Sequence, residues 1–217
     1  MSEIKLHDFW RSSAAYRLRI ALNLKGLDYS STPVNIAPGA DEQFRDGYRA
    51  LNPQMRVPTL EVDGRRSGQS MAILEWLDET YPEPPLLPSG PWARLEVRAF
   101  ADIIACDIHP LNNLSVLKTL REDLKADADA VNDWYRGWII RGFTALEEMA
   151  QAHKDAAFLF GDAPGLADVC LVPQVYNARR YETDLSQFPR LVEVDAACQK
   201  IDAFARAAPA AVKPRPA

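Results

Sequence analysis

Two adjacent serines, Ser12 and Ser13, stand where a segment of alternating apolar and polar residues, Ile4 to Phe9, gives way to helical spacing. The first backbone N–H groups of a helix are unpaired, and the helix dipole places partial positive charge there. Such a point stabilises an anion, including a thiolate, and a serine hydroxyl adds a donor that can lower a thiol pKa. From the residues alone, either serine could do this or could simply cap the helix.

The thiol for such chemistry must come from a bound molecule, because the first 105 residues contain no cysteine. The cysteines are Cys106, Cys170 and Cys198, an odd number without a C-x-x-C motif, so a disulfide framework is not expected. The three histidines are scattered along the sequence, and no metal site is predicted.

A second helix start offers a place for a carboxylate. Gln69 and Ser70 precede an apolar helical pattern that includes Ile73, Leu74 and Leu77. The hydroxyl, the amide and the unpaired N–H groups of such a helix start together suit an anionic ligand.

The overall charge argues against polyanionic partners. The 217 residues include 25 Lys and Arg against 30 Asp and Glu, which gives a net charge of −5. We therefore expect neither nucleic-acid nor anionic-membrane binding. No apolar run approaches the roughly 18 residues of a membrane span. The N-terminus lacks the apolar stretch of a secretory signal, which predicts a cytoplasmic protein.

Two domains must position these residues. The first 80 residues alternate strand and helix patterns in the order β-α-β-α-β-β-α, which predicts a small α/β domain over residues 1–81. Residues 82–91 contain five of the 16 prolines and are predicted as a linker. Only helix patterns follow, so residues 92–217 are predicted as an all-helical domain whose tail, from Pro209, is frayed.

This domain order, together with five motifs, resembles the cytosolic glutathione transferases and, among them, the zeta class. The motifs are Ser12 to Leu22, Ala50 to Thr59, Gln69-Ser70, His109 to Leu117 and Leu166 to Val175. The resemblance extends from Ile4 to about Ala207. It implies a thioredoxin-like first domain that binds glutathione and a helical second domain that binds substrate. It also implies a homodimer in which the first domain of one subunit faces the helical domain of the other.

The best-known enzyme of this class is maleylacetoacetate isomerase, which acts in the catabolism of tyrosine and other aromatic compounds. The resemblance therefore implies that glutathione thiolate adds to the cis double bond of maleylacetoacetate, and that the resulting single bond rotates. Expulsion of the thiolate then leaves fumarylacetoacetate. Ser12 would be the thiolate partner, with Ser13 and Ala14 close by. The family usually has cysteine where this chain has Ala14.

The family positions that contact glutathione carry over to residues of both domains: Gln43, Val57, Pro58, Gln69, Ser70, His109, Asn113 and Ser115. In the thioredoxin-like fold the proline is cis, which turns the backbone of Val57 toward the ligand. His109 replaces a glutamine, so its role stays open. Arg11 and Arg180 match arginines that bind substrate carboxylates, a task suited to the guanidinium fork. Arg179 is the alternative to Arg180.

Three other functions remain open: maleylpyruvate isomerase, a glutathione transferase or dehalogenase acting on haloacids or chlorinated aromatics, and a binding protein without catalysis. Some relatives that act on maleylpyruvate carry arginines just after the Asn-Asn pair, where this chain has Leu114 and Ser115. This difference favours maleylacetoacetate, whose second acid arm is longer. Asp168, three residues after Gly165, is interpreted as a helix-capping acid without a catalytic role.

Overall fold

The computed structural model describes residues 3–214 and divides into two compact units. The first unit combines residues 3–86 with residues 200–214, and the second contains residues 87–199.

A four-stranded mixed sheet in the order β2-β1-β3-β4 is the centre of the first unit. Its strands are β1 (Ile4–Asp8), β2 (Ser30–Pro33), β3 (Thr59–Val62) and β4 (Arg65–Ser67). β1 pairs in parallel with β2 and antiparallel with β3. The predicted hairpin is confirmed, since β3 and β4 pair antiparallel around Asp63 and Gly64, which both have positive φ.

Three helices alternate with these strands: α1 (Ser13–Leu24), α2 (Asp46–Leu51) and α3 (Ser70–Thr80), with a 3-10 turn, Glu42–Phe44, ahead of α2. The predicted order β-α-β-α-β-β-α is therefore confirmed. Helices α1 and α3 pack against each other and bury Leu18, Leu22, Leu74 and Leu77 completely. Because both helices begin beside the sheet and are held by this core, their N-termini are fixed in relation to each other.

The proline-rich segment after α3 has neither helix nor strand over residues 82–90. Lys25 holds the first part of this segment in place. The buried ammonium of Lys25 donates to Asp78 Oδ1 at 3.1 Å, Tyr81 O at 2.6 Å and Pro84 O at 2.9 Å. Asp78 Oδ1 also accepts the backbone N–H of Leu86 at 2.7 Å. The charge and all three donors of Lys25 are thus matched without solvent.

Five α-helices make up the second unit: α4 (Pro91–Asp102), α5 (Leu114–Glu122), α6 (Ala128–Gln151), α7 (Leu166–Arg180) and α8 (Pro189–Cys198). A π-helical stretch, Ile103–Ile108, continues α4, and a 3-10 turn, Pro110–Asn112, precedes α5. Helix α7 is the core helix, because every residue from Leu166 to Val175 is buried.

Asp168 caps α7, as its sequence position predicts. One carboxylate oxygen accepts the N–H of Gly165 at 2.8 Å, and the other accepts the N–H of Leu159 at 3.1 Å. Burial raises the pKa of Asp168 to about 6, although these two backbone donors act in the opposite direction. The buried carboxylate of Asp168 thus satisfies backbone N–H groups at and near the start of α7, and its role is structural.

The C-terminal segment differs from the prediction, which assigned residues up to 217 to the helical domain. Helices α9 (Asp202–Ala207) and α10 (Pro209–Val212) belong to the first unit. Arg19 Nε on α1 donates to Ala207 O at 2.9 Å, and Asn23 Nδ2 donates to Ala203 O at 2.9 Å. Helical periodicity predicts that a helix forms, but it does not show which element the helix packs against. Here α9 packs against α1. The predicted fraying is also absent up to Val212, while residues 215–217 lie outside the described residues.

Candidate functional site

Ser12 is the N-cap of α1. Its backbone is extended (φ −69°, ψ 123°), and its hydroxyl oxygen accepts the N–H of Ala15 at 3.3 Å. Its own N–H donates to Phe9 O at 2.8 Å, which fixes the turn between β1 and α1. A hydroxyl that accepts one hydrogen bond still has its hydrogen to donate. Capping the helix and donating to a bound thiolate are therefore compatible roles for this serine.

Exposure separates the two serines. Ser12 is half-buried, whereas Ser13, the first residue of α1, is only 6% exposed. Ala14 is buried as well, at 9% exposure. This difference favours Ser12 as the hydroxyl that a ligand reaches.

The loop before β3 is held by side-chain hydrogen bonds to the carbonyl of Arg56. Tyr48 Oη donates to Arg56 O at 2.7 Å, and Asn52 Nδ2 donates to Arg56 O at 2.9 Å and to Thr59 Oγ1 at 3.1 Å. The Val57-Pro58 peptide is cis. Within residues 3–214, neither backbone group of Val57 has a hydrogen-bond partner. Its N–H and C=O are thus available to a peptide-like ligand.

Gln69 and Ser70, at the start of α3, lie in the first unit, which also contains Ser12. Gln69 has φ 66° and ψ 101°, and its Nε2 donates to Gln54 Oε1 at 2.9 Å. Ser70 is 7% exposed, and its hydroxyl oxygen accepts from Arg17 Nη1 at 3.2 Å. Sequence reasoning missed Arg17. The available signal was a charged residue four positions after Ser13, on a helix face that buries apolar residues.

Gln43 lies in the 3-10 turn Glu42–Phe44 and is 7% exposed. In the part of the chain that the structure describes, its Oε1 has no hydrogen-bond partner. A buried amide oxygen without a partner is costly, so a ligand N–H at this position would be stabilised.

Arg11 lies next to Ser12 and borders a cavity of about 400 Å³ in the first unit. Its guanidinium stacks over the rings of Trp10 (5.3 Å to the centroid) and Phe9 (6.0 Å). No carboxylate between residues 3 and 214 forms an ion pair with it. Asp8, which also lines the cavity, is instead paired with Arg19 at 2.6 Å. Arg11 therefore remains available for an anionic ligand.

In the second unit, the structure distinguishes Arg179 from Arg180. Arg179 Nη1 lies 2.5 Å from Asp195 Oδ2. Arg180 has no carboxylate partner in the described chain, and its guanidinium stacks on the ring of Tyr181 at 4.7 Å. Tyr181 in turn stacks on Tyr135, with centroids 3.5 Å apart. Burial raises the pKa of Tyr135 to about 12, and the charge of Arg180 partly offsets that rise.

The other second-unit candidates have local structural roles. Asn113 caps α5, because its Oδ1 accepts from Ser115 N at 2.9 Å, from Ser115 Oγ at 2.6 Å and from Val116 N at 3.3 Å. Its Nδ2 donates to Pro110 O at 2.6 Å. His109 is half-buried and precedes the 3-10 turn. Glutathione contacts by these residues stay predictions, and the capping bonds of Asn113 and Ser115 would compete with them.

Two further features concern metals and membranes. Among the described residues, no cluster of histidine, cysteine or acidic side chains has the arrangement of a metal site. None of the helices between residues 3 and 214 has the length and apolar character needed to cross a membrane.

Family models for two domains match this chain. Residues 11–80 match the family model for the glutathione S-transferase N-terminal domain, and residues 132–194 match the one for the C-terminal domain. A maleylpyruvate isomerase from Ralstonia sp. is 50% identical over 96% of this chain and 98% of its own length.

Two solved structures are similar over nearly the whole chain. The holo structure of a maleylpyruvate isomerase, described as a bacterial zeta-class glutathione S-transferase, has 48% identity and a TM-score of 0.94, with 98% of this chain and 100% of that chain covered. A maleylacetoacetate isomerase from Anaeromyxobacter dehalogenans, with glutathione bound in its active site, has 44% identity and a TM-score of 0.87, with 99% of each chain covered.

Proposed function

The chain belongs to the zeta class of the glutathione S-transferase family, and on that premise we propose that it is a glutathione-dependent isomerase that converts maleylacetoacetate to fumarylacetoacetate. The observation that carries the proposal is that Ser12, the N-cap of α1, directly follows Arg11 in the chain. A hydroxyl at a helix N-terminus suits a thiolate, and the adjacent guanidinium has no carboxylate partner between residues 3 and 214. A thiol cofactor and an acidic substrate both fit such a pair.

The residues of the first unit fit glutathione. Ser12, Ser13 and Ala14 form the start of α1, and Gln43, Val57, Pro58, Gln69 and Ser70 supply the remaining proposed contacts. The unpartnered Gln43 Oε1 and the unpaired backbone of Val57 are the two observations of this structure that support the fit. When bound, glutathione supplies a thiolate whose reversible addition gives a cis double bond temporary single-bond character.

The chain's own groups have two tasks in this reaction. Ser12 and the α1 N-terminus favour the anionic form of the thiol, which keeps the nucleophile available near neutral pH. Arg11 and Arg180 are each proposed to bind a substrate carboxylate, because a guanidinium without a carboxylate partner can hold both oxygens at once. Ground-state binding of this kind chiefly lowers KM.

Maleylpyruvate is the second candidate substrate, and the relative with 50% identity bears that activity in its name. The position after the Asn112-Asn113 pair argues for the longer substrate, since Leu114 is apolar and 45% exposed where some relatives carry arginine. A spectroscopic assay of both substrates, with and without glutathione, tests the choice. Stable glutathione conjugates of haloacids without isomerase turnover would instead indicate a transferase or dehalogenase. Failure to bind glutathione would indicate a non-catalytic protein.

We also propose a cytoplasmic homodimer. Large apolar side chains are exposed on α4 (Trp92 at 72%, Leu95 at 52%) and on α3 (Trp76 at 36%), and a partner subunit would remove such surface from water. Light scattering at micromolar protein tests the proposal, and a species of 24.3 kDa would contradict it.

A further inference from the structure

We infer that Arg17 is a positioning residue that orients the Ser70 hydroxyl toward the carboxylate of a ligand bound at the start of α3. The inference rests on the proposed function, in which that ligand group is the γ-glutamyl carboxylate of glutathione. Sequence reasoning assigned no role to Arg17, because nothing near it in the sequence shows what its side chain reaches.

The hydrogen bond between Arg17 and Ser70 can run in only one direction. A guanidinium carries N–H donors without an acceptor and stays protonated, so Arg17 Nη1 donates and Ser70 Oγ accepts, at 3.2 Å. The hydroxyl hydrogen of Ser70 is then left to donate elsewhere. An ionised carboxylate only accepts hydrogen bonds, which makes it the ligand group that matches this hydroxyl.

The position of Arg17 on α1 explains how it reaches Ser70. Arg17 lies about one turn after Ser13, and helical side chains lean toward the N-terminus of their helix. Its guanidinium meets the first residue of α3, which is 53 positions away in sequence. Arg17 is 1% exposed and Ser70 is 7% exposed, so packing holds the donor geometry. A carboxylate arriving there meets oriented donors, which reduces the ordering cost of binding.

Arg19 is the natural contrast on the same helix. It is also 1% exposed, but its guanidinium donates to Asp8 Oδ2 at 2.6 Å, Trp10 O at 2.9 Å and Ala207 O at 2.9 Å. These contacts join β1, α1 and α9, and none of them reaches α3. Arg19 is therefore a matched control for the loss of a buried arginine from α1.

The experiment measures the Kd of two peptides by titration calorimetry at pH 7. One is glutathione, and the other carries 4-aminobutyryl in place of γ-glutamyl, which removes only the carboxylate. The wild type should bind glutathione roughly tenfold to a hundredfold more tightly than the analogue, as expected for a charge-assisted hydrogen bond. Arg17→Met should reduce this ratio about fivefold or more by weakening glutathione binding, with the Kd of the analogue changed less than about twofold.

A double-mutant cycle then tests whether Arg17 acts through Ser70. Ser70→Ala should reduce the same ratio, and adding Arg17→Met to it should change the ratio by less than about twofold. Arg19→Met should lower the melting temperature and leave the ratio at its wild-type value. If Arg17→Met does not fold, Arg17→Gln replaces the charged guanidinium by a neutral amide without burying an apolar group beside Ser70, and it should also lower the ratio.

The outcomes separate this inference from the proposed function. If the Arg17 variants weaken both peptides equally, or if Ser70→Ala keeps the wild-type ratio, the inference is overturned while glutathione binding by the wild type still stands. If the wild type binds neither peptide, the proposed function fails and this inference fails with it. Because the readout is binding, the comparison does not depend on which substrate the enzyme isomerises.

Discussion

Arg179 Nη1 lies 2.5 Å from Asp195 Oδ2, and Asp195 is only 1% exposed. The neighbouring Arg180 lies on the ring of Tyr181 and has no carboxylate partner in the described part of the chain. Two adjacent arginines of one helix end thus have different tasks, since one compensates a buried charge and the other keeps its charge available.

Alanine substitutions should separate these tasks. Arg180→Ala should raise KM about tenfold to a hundredfold with little change in melting temperature, because it removes ground-state carboxylate binding. Arg179→Ala should lower the free energy of unfolding by on the order of 2 kcal/mol, because it leaves Asp195 buried without its partner. Steady-state kinetics and thermal melts of both variants provide the check. The reverse pattern, with KM raised only in Arg179→Ala, would make Arg179 the substrate residue.

Replacing Ser12 by glycine should isolate its hydroxyl. Glycine caps a helix at a cost of only a few tenths of a kcal/mol, so Ser12→Gly should melt close to the wild type. Without the hydroxyl donor, turnover should fall roughly tenfold to a thousandfold. The pKa of the bound glutathione thiol, followed by thiolate absorbance, should rise. Ser13→Ala is the matched control and should retain most activity; an inactive Ser13→Ala beside an active Ser12→Gly would show that Ser13 is the thiolate partner.

Leu114→Arg should change substrate preference. Wild-type protein should have the higher kcat/KM for maleylacetoacetate and modest activity on maleylpyruvate. Since Leu114 is 45% exposed at the first position of α5, arginine can be introduced there without loss of core packing. The added guanidinium should favour the shorter diacid and lower the ratio of the two kcat/KM values about tenfold. Leu114→Gln controls for polarity, and an equal shift in that variant would argue against a charge effect.

The pH dependence of stability should contain a contribution from Asp168. Its pKa is about 6 in the folded protein, chiefly because of burial, and 3.8 is its ordinary value. The folded state therefore binds more protons in this interval, and the free energy of unfolding falls as pH rises from 3.8 to about 6. The stability of the wild type relative to Asp168→Asn should decrease by about 3 kcal/mol over this range and then stay level. Urea unfolding at pH 4, 5, 6 and 7 measures it; an increase with pH would mean that the Gly165 and Leu159 N–H groups outweigh burial.

Short-range patterns in the sequence determined the order of elements in the first unit and several parts of the candidate site. Alternation around Ile4 to Phe9, the serines at the start of α1 and the Asp63-Gly64 turn all act over a few residues, so they can be read from the chain directly. The same holds for the capping role of Asp168, which depends on a residue three positions away. The helix start at Gln69 and Ser70 is a local pattern as well, whereas Gln43 was identified only through the family resemblance.

Only the tertiary structure decided which groups the long charged side chains contact. Arg17 reaches Ser70 over 53 positions, and Arg19 reaches Ala207 over 188 positions, which places the C-terminal helices with the first unit. The different partners of Arg179 and Arg180 likewise depend on Asp195 lying opposite one of them. Helical periodicity specifies which face a side chain occupies. The partner it meets is set by how distant segments pack, because burial of a charge is tolerated only where those segments bring a matching group.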